Sequence, residues 1–252
     1  MNIDELLEHV DFFLITEANV THTGASRSYE FLDKFQSELE SISNKIKCIR
    51  MDLEGISEFN VSEPKVLHAN EQKIRDGFRE HLSLHENDIV ISSDADEVLF
   101  GSRVKSILKK LRKSKNVNQS YRLRLHQVIF KLDYLWTDCN FQGPVICRAS
   151  HFSSQEEPQW RYSGSRTYRK SGTHFSWVMS VDNMVEKISR YSHRVENQKF
   201  ASPEVLRKAI EERTYLFEPD RKCRIIVKSS FNAKCYPKSL RKHSSLFPKE
   251  VR

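Results

Sequence analysis

Three carboxylates, Asp94, Asp96 and Glu97, stand within four residues directly after the apolar run Ile89–Ile91. That run, bounded by polar residues, predicts a short buried β-strand, so the acids leave it at its C-terminal end. Ligands of open α/β sheets bind outside that end of the strands. Acids this close repel one another unless a cation neutralises them. A hard divalent ion such as Mn2+ or Mg2+ does so, and it can also bridge the oxygens of a diphosphate. The chemistry predicted is a metal-held nucleotide, and the plain alternative is a solvated acidic turn, because Asp-x-Asp patterns are short.

Further segments combine polar side chains with a nearby apolar element. Glu17, Asn19 and Thr21 follow the apolar run Phe12–Ile15 and precede Gly24. At a strand end they either meet a base or ribose or form an ordinary Asn/Gly turn. Glu71 and Arg75 lie four apart on a predicted helix, where they form a local ion pair or send Arg75 toward phosphates or the acidic cluster. His174 sits in Gly172-Thr-His-Phe-Ser-Trp177, and a neutral imidazole is a ligand for a transition metal such as Mn2+. His193 closes a predicted helix, where a cationic imidazole also suits the helix dipole.

The elements that must position these groups follow from hydrophobic period. Helices are predicted over residues 3–10, 29–39, 70–85, 102–111, 182–191 and 203–215, and strands over 11–17, 46–51, 88–92, 121–132, 145–149 and 224–227. The early order β-α-β-α-β implies a mixed, mostly parallel central sheet flanked by helices in an α/β domain. Residues 150–172 have no clear period and read as a loop that orders with ligand. The domain is expected over 1–236, with 237–252 a basic, flexible tail.

Composition narrows the class. The chain has 252 residues, 38% hydrophobic and 30% charged, enough for a large core under a heavily charged surface. Its net charge of +7 is concentrated in Lys105–Lys115 and from Arg221 onward, which fits polyanion binding or solvated helix faces. No apolar run approaches the about 20 residues of a membrane span, and no secretory signal follows Met1. Five widely spaced cysteines without a C-x-x-C pair point to a reducing compartment rather than a disulfide framework or zinc site. A cytoplasmic location is expected, with a Golgi lumen only for a trimmed piece of a longer chain. Oligomeric state has no sequence signal.

The ordered set Glu17-x-Asn19-x-Thr21…Gly24, Glu71-x-x-x-Arg75, Ile91-Ser-Ser-Asp94-Ala-Asp96-Glu97 and Gly172-x-His174-Phe175-Ser176-Trp177…Lys187-Ile188…Ser192-His193 resembles glycosyltransferase family 17 over roughly residues 4–217. The resemblance implies a GT-A-like fold, a nucleotide-sugar donor such as a UDP-sugar, a glycan or glycoprotein acceptor, Mn2+ or Mg2+, and inversion at the anomeric carbon. It makes Asp94 and Asp96 the metal and nucleotide carboxylates, with Glu97 beside them and His174 completing the metal shell. Asp182 falls where the family has Glu and is the preferred catalytic base, ahead of Glu186 and Asp133. Arg27, the basic residue kept after Gly24, and Arg75 would offset diphosphate charge. The chain departs from the family at Thr173, where the family has Trp, and at Met179-Ser180, where it has Gly-Gly; both changes bear on the sugar and the acceptor. Two rival classes are a metal-dependent phosphatase or nuclease and a catalytically silent sugar-binding module. A second acidic strand end, which a two-metal nuclease needs, is not visible, so nucleic acid is not expected as a partner.

Overall fold

The computed structural model describes residues 1–53, 63–154, 166–217, 223–228 and 234–252. Its strands among these residues are β1 (Phe13–Ala18), β2 (Ile46–Met51), β3 (Ile89–Ser92), β4 (Glu97–Leu99), β5 (Ser120–Ile129), β6 (Tyr134–Trp136), β7 (Gln142–Arg148), β8 (Arg166–Ser176) and β9 (Ile225–Val227). Together with the helices they make a mixed α/β chain. It divides into two compact units, one of Met1–His9, Leu84–Met184 and Pro203–Arg252, the other of Val10–Ser83 and Val185–Ser202.

The first unit is built on a seven-stranded sheet. β5 is its spine. One edge of β5 pairs in parallel with β8, which pairs antiparallel with β4. The other edge takes β7 beside Ser120–Arg124 and β6 beside Gln127 and Val128. β3 continues from β7 and β9 from β6, both antiparallel. The main sheet is therefore mostly antiparallel, which corrects the mostly parallel sheet expected from the element order. The β-α-β-α-β order misleads because, of its three strands, β1 and β2 pair in parallel with each other while β3 is hydrogen-bonded antiparallel to β7.

Helix Gly101–Lys113 shows why such segments fold as they do. Val104, Ile107 and Leu111 recur at helical spacing and are fully buried, while Lys105, Lys109, Lys110 and Arg112 face solvent. Each buried aliphatic contributes about 1.5–3 kcal/mol of transfer free energy. One of the two basic clusters is thus the wet side of one amphipathic helix. The C-terminal stretch, expected as a flexible tail, packs instead: Leu240 and Val251 join Tyr236, Leu132 and Val128 in one core cluster. Its apolar residues lie too far apart to give a helical or strand period, so they escape a periodicity test.

The second unit contains the parallel pair β1–β2 and helices Phe31–Leu39 and Pro64–Asp76. The latter begins six residues before the expected Asn70, with Pro64 in its first turn, where the missing N–H costs nothing. The expected loop 150–172 is replaced at its ends by helix Ala149–Ser153 and the start of β8; residues 155–165 lie outside the described residues. No helix among the described residues is long and apolar enough to cross a membrane. None of the five cysteines is disulfide-bonded.

Candidate active site

β3 ends at Ser92, and the chain turns through Asp94–Glu97 into β4. The turn is closed by Glu97 N–H to the Asp94 carbonyl at 3.1 Å. Glu97 is fully buried, and its Oε2 accepts the Asp94 N–H at 2.6 Å. A charged acceptor on a backbone amide makes a short, strong bond. Gly143 on β7 leaves space for this carboxylate, since a Cβ there would lie 2.0 Å from Glu97 Oε1. Glu97 therefore works inside the turn, holding Asp94 in place, while Asp96 remains one-third exposed.

Asn2, which no sequence pattern singles out, ties the same turn from helix Asn2–Leu6. Its Nδ2 donates to the Glu97 carbonyl at 2.8 Å and its Oδ1 accepts the Leu99 N–H at 3.0 Å. Across β4, β8 and β5 the register places Glu97, His174 and Gln127 in one row. Gly172, which opens the His174 motif, must lack a side chain here, because a Cβ would sit 2.3 Å from the Val98 carbonyl on β4. His174 Nε2 lies 3.6 Å from Asp96 Oδ2, and the Asp96 carbonyl accepts the Phe175 N–H at 2.8 Å.

The imidazole is held from two further sides. Gln127 Oε1 stands 2.9 Å from Nδ1 and accepts a hydrogen bond from it, which leaves Nε2 facing Asp96. Phe141 stacks on the ring at 4.1 Å between centroids. Gln127 was missed because only its burial in an apolar stretch of β5 marks it, and burial is not visible without the pairing partner.

Asp182 lies in the first turn of helix Val181–Arg190. It lines a cleft of about 410 Å³ in the first unit with Phe130, Lys131, Ser180, Arg207 and Glu211 among its walls. Phe130 and Trp177 follow the paired residues Ile129 and Ser176 at the ends of β5 and β8, and both have positive φ, 63° and 58°. Bulky residues rarely adopt that backbone, and such strain concentrates at functional sites. Of the other base candidates, Glu186 pairs with Arg190 at 2.7 Å on its own helix, and Asp133 Oδ1 is buried without a hydrogen-bond partner among the described residues.

The remaining expected site residues belong to the second unit. Glu17 Oε1 accepts the N–H groups of Glu30 and Phe31 at 2.9 and 2.8 Å, capping helix Phe31–Leu39. Those amides have no partner within the helix, and a cap of this kind contributes about 1 kcal/mol. Asn19 bonds Asp52 and the Leu53 N–H, and Thr21 bonds Thr23 and the Ala25 N–H, so both shape the loop around Gly24. Arg27 is exposed on that loop. Glu71 accepts Arg75 Nε at 3.0 Å. Burial alone would raise the Glu71 carboxyl, but Arg75, a hydrogen bond from Ser192 and nearby His22 outweigh it and hold the group below the usual range.

A mixed α/β chain with strand-end acids and a braced imidazole narrows to one class when its sequence is compared with known families: it is a glycosyltransferase. Residues 1–219 match the model of glycosyltransferase family 17, and the chain belongs to that family. Its activity is transfer of a sugar from a donor to an acceptor. No curated protein and no solved structure matches it.

Proposed function

We propose that this glycosyltransferase is a metal-dependent, inverting enzyme of GT-A-like fold that moves a sugar from a UDP-sugar to a glycan hydroxyl, in the reducing setting that suits cysteines without disulfides. The observation that supports this most is the Asp96–His174 pair, with its imidazole held by Gln127. One carboxylate oxygen and one neutral imidazole nitrogen suit Mn2+ better than Mg2+, whose preference is oxygen alone. Asp96 and His174 would hold the ion, and Asp94, fixed by Glu97, is the further carboxylate beside them. A divalent ion there would neutralise charge on the leaving diphosphate.

The chain's own residues supply the rest. Gln127 and Phe141 hold His174 in one orientation, so its nitrogen need not reorganise during turnover. Glu97 and Asn2 fix the turn that presents Asp94 and Asp96. In the reading that makes Asp182 the base, its carboxylate takes the proton of the acceptor hydroxyl. The hydroxyl oxygen then bonds to the anomeric carbon as the bond from that carbon to the diphosphate oxygen breaks. A single displacement of this kind inverts the centre. Arg75 and Arg27 are the cations that the family resemblance assigns to the donor, and within the second unit Glu17, Asn19, Thr21 and Glu71 shape the loop and helix that bear them.

Nucleotide release from a panel of UDP- and GDP-sugars, with and without Mn2+, tests the donor and the metal together. UDP release that depends on Mn2+ is expected, and metal-independent release would contradict the proposal. For the base, Asp182→Asn is expected to lower kcat by at least about a hundredfold with UDP affinity kept. Unchanged turnover would make Asp182 structural.

A further inference from the structure

The second unit brings together a group of side chains that the transfer chemistry does not use. His68 lies on helix Pro64–Asp76; His193 and Glu196 lie three apart where the chain enters helix Arg194–Asn197. Residues three apart on a helical turn project together. One ligating atom from each of the three lies within 4.8 Å of the others. His68 Nε2 is 3.7 Å and His193 Nδ1 3.9 Å from the same oxygen, Glu196 Oε1. The two imidazole rings stand 4.8 Å apart, edge toward face.

We propose that His68, His193 and Glu196 form a zinc site distinct from the strand-end acids. Two imidazole nitrogens and one carboxylate oxygen are a zinc donor set, and three protein ligands leave a fourth position for water. A tetrahedral ion with bonds of about 2.1 Å separates its ligands by about 3.4 Å, so the 3.7 and 3.9 Å between each histidine and Glu196 need only a small contraction, and the imidazoles close from within 4.8 Å. The surroundings support His68 as a ligand. Its other nitrogen, Nδ1, faces Glu71 Oε2 at 3.8 Å, and Glu71 is itself held by Arg75. A carboxylate beside the non-ligating nitrogen is the arrangement that orients a histidine ligand once a metal is bound.

The donor set also separates this site from the proposed catalytic one. Two imidazoles favour zinc, whereas one imidazole among acids favours manganese. Bound zinc would fasten the segment Val185–Ser202 to helix Pro64–Asp76, joining two stretches of one compact unit that are more than a hundred residues apart in sequence.

The test uses full-length protein carrying Asp96→Ala, which removes a ligand of the other site. After chelation and buffer exchange, Zn2+ is titrated calorimetrically. The expected result is one equivalent bound, with affinity at least about tenfold weaker when His193→Ala or Glu196→Gln is added. X-ray absorption should show two nitrogens and one oxygen from protein, with Zn–N near 2.0–2.1 Å. Circular dichroism checks that each variant is folded, and Glu196→Gln, being nearly isosteric, keeps the test valid if a histidine variant unfolds. Absence of zinc binding, or equal binding in both added variants, overturns the site. Because Asp96 is already replaced, neither result bears on the transfer mechanism.

Discussion

His174 is the residue on which the catalytic reading turns. Gln127 holds its Nδ1 by a hydrogen bond, Phe141 stacks on its plane, and Nε2 faces Asp96. Gln127→Ala is therefore expected to weaken activation by Mn2+ by about 10- to 100-fold, the range typical of a lost orienting partner. A Mn2+ titration of turnover checks this, and an unchanged midpoint would show that Gln127 does not act through the imidazole. The acids and the imidazole were legible in the sequence because their types and order are distinctive. The division of labour among them was not. Glu97 reads as a further nucleotide-binding carboxylate beside Asp96, yet it folds back onto the Asp94 amide. That direction depends on β4 pairing with β8 and on a bare Gly143 on β7, both remote in sequence. Glu17 is a similar case: its capping of Glu30 and Phe31 depends on a loop return that no local pattern signals.

At the scale of elements, the long amphipathic helices and the apolar strands were readable from period, while β4 and β6 were too short to show any alternation. β8 hides in a Ser-, Arg- and Lys-rich stretch because most of its first half is exposed. The parallel-sheet expectation failed for a physical reason: strand order in sequence does not specify pairing, and hairpin-like returns place β7 between β3 and β5. The N-terminal helix Asn2–Leu6 offers a pH-dependent prediction. Burial would raise Asp4, but hydrogen bonds from Lys242 and His243, each at 2.9 Å, lower it to about 2. A carboxyl depressed in the folded state adds stability that is fully present above its unfolded pKa and is lost as pH falls through the folded value. Asp4→Asn should therefore melt below the wild type above about pH 5, and the gap should close as pH falls toward about 2. Thermal melts across that range check it, and a gap independent of pH would remove Asp4 as the cause.

For the whole molecule, the two units divide the expected site residues. Asp94, Asp96, Glu97, His174 and Asp182 belong to the first, and Glu17, Asn19, Thr21, Arg27, Glu71 and Arg75 to the second. The net charge of +7 suits a polyanionic donor, although six of its 41 lysines and arginines simply form the basic face of helix Gly101–Lys113. The most direct measurement is the rate of nucleotide release from a UDP-sugar by Asp96→Ala beside the wild type, in saturating Mn2+. The account predicts a fall of at least about a hundredfold in a variant that keeps its fold. Turnover at the wild-type rate would contradict it.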